Sequence, residues 1–148
     1  MVTRALALAL TASSLCLRPA LADPLQIQVT SVRAAESGPS DPQLVSLRPR
    51  LRRLVGYRAF QIVNQEVRTC DWRSEARFAL PGGRHLQLLP KGADDDVVNM
   101  QVRLLEGRRR LVDTNVRVVS GGTMMFGVGR DPRIGDSALI ILLKADMK

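Results

Sequence analysis

The chain has 148 residues, 45% of them hydrophobic, and 22 Lys and Arg against 14 Asp and Glu give a formal charge of +8. This length is enough for one domain with one core. The basic residues are 19 Arg and 3 Lys; a codon bias toward arginine would produce this without any binding role, although a net positive surface attracts anionic polymers and lipid headgroups.

Residues 1–22 read as a cleaved signal peptide. Arg4 supplies the positive start, Ala5 to Leu17 the apolar run, and Ala20-Leu21-Ala22 the small-x-small pattern that signal peptidase recognises. The run is too short to span a bilayer comfortably. Cys16 follows Leu15 rather than a small residue, which disfavours lipidation. Cleavage leaves residues 23–148 as a single β-rich domain of 126 residues, with 20 basic and 14 acidic side chains, net +6, and no transmembrane segment. Cys70 is then the only cysteine, so a disulfide within the chain is impossible. Either it is buried as a small apolar residue or it pairs with another chain.

Leu25 to Thr30 alternates strictly and predicts a half-buried strand. After the loop Ser37-Gly38-Pro39-Ser40, Asp41-Pro42 opens a helix over about 41–55, with Asp as N-cap and Pro at the first helical position. Leu44, Leu47, Leu51 and Leu54 form its packing stripe, Pro49 kinks its wet side, and Gly56 ends it. Strands follow at Tyr57–Val63, Arg73–Leu80 and His85–Leu89, the last two joined by Pro81-Gly82-Gly83-Arg84. Lys91 to Asp96 reads as a polar loop. Val97–Leu105 and Arg110–Val119 form the clearest hairpin, turning at Glu106-Gly107-Arg108-Arg109, and Thr123–Val128 follows the break at Ser120-Gly121-Gly122. Ala138–Ala145 is apolar on both faces and should be central or covered on both sides. One short helix and about eight strands predict an α+β domain, mainly antiparallel, built as a sandwich or half-open barrel with the helix between the first two strands.

Few residues offer chemistry. His85 is the only histidine and should point outward from its strand; a catalytic role would need a nucleophile within reach and an orienting carboxylate, and Cys70-Asp71, the only tempting pairing, is local and lacks any known signature. Asp94-Asp95-Asp96 lacks the alternating spacing and glycine of a calcium loop. One mature cysteine and one histidine do not make a zinc site. No catalytic residue, metal site or cofactor is therefore assigned. One Tyr, one Trp and three Phe are too few to interleave stacking rings with cations, so no nucleic-acid partner is expected.

Anion contacts remain. Arg108, Arg109 and Arg110 cluster at a hairpin tip, and Arg48, Arg50, Arg52 and Arg53 crowd the helix. A basic amphipathic helix can also lie on a membrane, but Pro49 and the leucine stripe favour packing on the sheet. The stretch Phe126 to Gly135, FGVGRDPRIG, has the glycines and cations of a phosphate loop. Such a loop leads into a helix, however, and here the next element is a strand. Gly127, Gly129 and Gly135 are then expected to relieve backbone strain, Asp131-Pro132 to begin a turn, and Arg130 and Arg133 to remain as contacts for an anionic partner.

The pattern Asp41-Pro42-x-Leu44, Leu47, Leu51, Leu54, Tyr57, Phe60, Leu80-Pro81-Gly82-Gly83-Arg84-x-Leu86 and Gly121-Gly122-Thr123 with Ala138–Ala145 resembles small exported bacterial β-rich proteins of unassigned function. The resemblance covers nearly the whole mature chain and implies fold and export, with no catalytic residues. A narrower one, Val116–Val128 followed by Ala138–Ala145, is similar to the closing strands of secretin-type outer-membrane channels, although here the glycine pair is split as Gly127-Val128-Gly129. It implies association with the cell envelope. The expected function is a non-enzymatic binding or scaffolding role in the periplasm or outside the cell, with an envelope protein or anionic polymer as partner. The alternatives are a small periplasmic hydrolase and an anion-binding module built on arginine clusters.

Overall fold

The computed structural model describes residues 24–131 and 137–147. The signal segment, Arg133 and the turn at Pro132 lie outside the described residues. Eight strands form two antiparallel four-stranded sheets: β1 (Leu25–Ala35), β2 (Ala59–Cys70), β3 (Ala76–Leu80), β4 (Arg84–Asp94), β5 (Val97–Glu106), β6 (Arg109–Val119), β7 (Thr123–Asp131) and β8 (Ser137–Met147). The first sheet has the order β2-β1-β8-β7 and the second β3-β4-β5-β6. This is the α+β, mainly antiparallel architecture expected, with two open sheets and the helical segment between the first two strands.

The first sheet is the middle layer. Leu139, Ile141, Leu143 and Ala145 of β8 face the second sheet, where they meet Phe78, Leu86, Leu88, Met100 and Leu104. Ala138, Ile140 and Leu142 face the helical segment and pack with Leu44, Leu51, Tyr57 and Phe60. Both faces of β8 are buried, so its sequence carries no polar alternation.

The helical segment has two parts. Pro42–Leu47 is a 3-10 helix capped by Asp41, whose Oδ1 accepts from Gln43 N at 2.9 Å. Helix α1 (Arg48–Val55) follows and ends at Gly56, left-handed at φ 75°. Pro49 therefore sits in the first turn of α1 rather than inside a helix, where its missing N–H costs no intrahelical hydrogen bond. The change from three to 3.6 residues per turn rotates the leucine stripe. Leu44 and Leu51 are buried, but Leu54 is 45% exposed.

Most strands overrun their predicted ends, whereas β3 begins only at Ala76 and leaves Arg73 to Glu75, expected in the strand, outside it. β4 continues through Lys91–Asp94 across a bulge after Pro90 and turns at Asp95, whose φ of 55° aspartate tolerates. The β5–β6 loop is only Gly107-Arg108, with Gly107 at φ 60°. β7 runs on through Asp131 with a bulge between Gly127 and Gly129. Gly127 is not left-handed, so relief of strain does not explain it. Gly135 lies outside the described residues.

Candidate functional site

The two sides of the sandwich differ. Where β2 crosses to β3, Arg68 lies 4.8 Å over the Phe78 ring and Asn64 Nδ2 donates to Ala79 O at 3.4 Å, drawing the sheets together. Where β6 crosses to β7, the chain is tied at the crossover itself. Ser120 N donates to Asp96 O at 2.6 Å, Gly121 N to Ala145 O at 2.9 Å, and Met147 N to Ser120 Oγ at 2.9 Å. Beyond it the two edge strands splay. Val112 belongs to the inward register, opposite Leu104, yet is 41% exposed.

Two concavities flank this crossover. The larger, about 740 Å³, lies between α1, the end of β6 and the start of β7. Arg50, Arg53 and Leu54 form one wall and Arg117, Val118 and Val119 the other; Thr123, Met124 and Met125 form the floor. Helix spacing places Arg50 and Arg53 on one face. Arg50 Nη2 reaches Thr123 O at 3.5 Å and Arg53 Nε donates to Pro49 O at 3.3 Å, which leaves most of each guanidinium fork available. Among the described residues no carboxylate pairs with Arg50, Arg53 or Arg117, and none lines the groove. The lining thus combines three arginines with the apolar side chains of Leu54, Val118, Val119, Met124 and Met125.

The smaller concavity, about 390 Å³, runs between β6 and β7 over Val102 and Leu104, with Val112, Val116, Met124 and Phe126 along it. Arg84 and Glu106 stand at one end, facing inward like Leu86 and Leu104, with Arg84 Nε 3.6 Å from Glu106 Oε2. Met124 lines both concavities.

The predicted contacts fare unevenly. Arg108, Arg109 and Arg110 are exposed at the β5–β6 tip, but successive strand residues point to opposite faces, so they do not converge. Arg110 is engaged by Asp113 at 3.1 Å. The Gln101 amide, ahead of the Arg103 and Arg110 guanidiniums, holds the Asp113 carboxyl below the usual range. Arg130 stands in β7 opposite Ala138, and Arg133 lies outside the described residues. Of the residues that form the groove, the helix arginines carried a sequence signal, whereas Arg117 read only as an outward position on a strand.

Cys70 is buried, 5% exposed, in the core between the sheets. Burial pushes its thiol up; Arg68 opposes this and Asp71 adds to it. His85 belongs to the opposite face of the second sheet, in register with Ala79 and Leu105, so that sheet separates the two side chains. Asp94 accepts from Asn99 Nδ2 at 3.1 Å, and Asp96 O from the crossover. Among the described residues no three His, Cys, Asp or Glu side chains gather as a metal set, and no helix is long and apolar enough to cross a membrane. No family profile, curated protein or solved structure matches the chain.

Proposed function

We propose that the chain is an exported, non-enzymatic domain that binds a phosphate-bearing component of the cell envelope. One observation carries this reading: Arg50, Arg53 and Arg117 line one open groove in which, among the described residues, no carboxylate neutralises them. Guanidinium forks match phosphate oxygens in pairs, and cations that share one groove lining are suited to an anion. The signal-like residues 1–22 and the resemblance to small exported proteins support the compartment. The separation of Cys70 from His85, and a thiol raised by burial, support a binding rather than a hydrolytic role.

The test is titration with inorganic pyrophosphate at low and high salt. The wild type should bind, and binding should weaken as salt rises. Combining Arg50→Gln, Arg53→Gln and Arg117→Gln should abolish it with the fold intact. Undiminished binding in that variant overturns the reading.

A further inference from the structure

The groove and the cleft meet at one residue. Met124 floors the cationic groove and also lines the apolar cleft between β6 and β7. We propose that the ligand is amphipathic: a single-chain lipid phosphate whose head sits among Arg50, Arg53 and Arg117 and whose acyl chain passes Met124 into the cleft. This rests on the groove being the anion site.

Four observations converge. The cleft is lined by Val102, Leu104, Val112, Val116, Met124 and Phe126, an apolar track that the two sheets leave open. Its volume of about 390 Å³ falls toward the lower end of the roughly 300–1,000 Å³ range of ligand pockets, which suits one chain better than two. Its distal end holds the ion-paired Arg84 and Glu106, whose charges are already directed at each other, so the anionic head belongs at the groove end. The groove lining also includes Leu54, Met124 and Met125 beside the arginines, apolar surface that a phosphate attached to hydrocarbon can use and a free phosphate cannot. The arginines of the groove and the apolar track are thus two halves of one site. Unbranched, adaptable methionine at their junction suits a flexible chain.

The experiment compares lysophosphatidylglycerol, below its micellar concentration, with glycerol 3-phosphate and pyrophosphate. The lipid should bind more than tenfold tighter than glycerol 3-phosphate, because each buried methylene strengthens binding about fourfold. Thr114→Trp fills the cleft from an exposed position, and Val112→Glu puts a carboxylate in it. Each should remove the advantage of the lipid while leaving pyrophosphate binding unchanged; circular dichroism confirms the fold. Arg50→Gln with Arg117→Gln should weaken all three ligands. If lipid and glycerol 3-phosphate bind equally while pyrophosphate binding still needs the arginines, the acyl site falls and the anion groove stands. A lipid advantage that survives both cleft substitutions also overturns the acyl site. Lipid binding that ignores the arginines, with no pyrophosphate binding, overturns both.

Discussion

Two arginine clusters separate sequence proximity from spatial convergence. Arg108, Arg109 and Arg110 are consecutive, yet they occupy a hairpin tip where alternation sends neighbours to opposite faces and Asp113 engages one of them. Arg50, Arg53 and Arg117 come from a helix and a distant strand, yet they line one groove that no carboxylate lines among the described residues. The first group is a charge run on a solvated surface. The second is assembled by topology: the first sheet carries α1 on its outer face and ends at β7, and the crossover from β6 brings the second sheet's edge beside both.

Substitutions can break one cluster without the other. The largest effect is expected from Leu51→Ala. Leu51 is the fully buried residue of α1 and seats the helix that carries Arg50 and Arg53. Its loss should cost about 2–5 kcal/mol in denaturant melts and weaken pyrophosphate binding, while Arg108 to Arg110 stay in place. Next is Gly122→Ala at the crossover. A Cβ there would stand 2.9 Å from Val119 O, a backbone atom that cannot swing aside. A loss of about 1–3 kcal/mol is expected in the same melts, with the two edge strands displaced and the groove loosened.

A smaller effect belongs to the tip. The folded Asp113 carboxyl titrates below its unfolded value, so its contribution is present above an unfolded pKa near 3.9 and is lost as pH falls through the lower folded value. Asp113→Asn should flatten the stability profile below about pH 4 and leave the groove untouched. The smallest effect is that of Arg108→Gln with Arg109→Gln, which should change stability by less than about 0.5 kcal/mol and leave pyrophosphate binding unchanged.

The same contrast explains how far the sequence could be followed. Alternation and the turn residues between strands located β1 to β7, because apolar positions recur every second residue where a strand turns one face toward the core. The unbroken apolar run of β8 predicted a strand covered on both sides, and helix α1 and the second sheet cover it. Irregularities escaped. The β4 bulge lets polar Lys91 to Asp94 remain in the ladder, and the change of helical pitch near Arg48 turned Leu54 out of the packing stripe. For the site, a helix crowded with arginines was visible. Its partnership with Arg117 was not, because strand order and the side on which β6 crosses to β7 are properties of the whole chain. The open cleft was equally hidden: Val112 and Thr114 fit the alternation of a buried face, and only the splay of the edges exposes them.

The most direct measurement follows the arginine Nε–H resonances by NMR during a pyrophosphate titration. The account predicts saturable shifts at Arg50, Arg53 and Arg117, with Arg108 and Arg109 unmoved. Shifts confined to Arg108 and Arg109, with the groove silent, would contradict it.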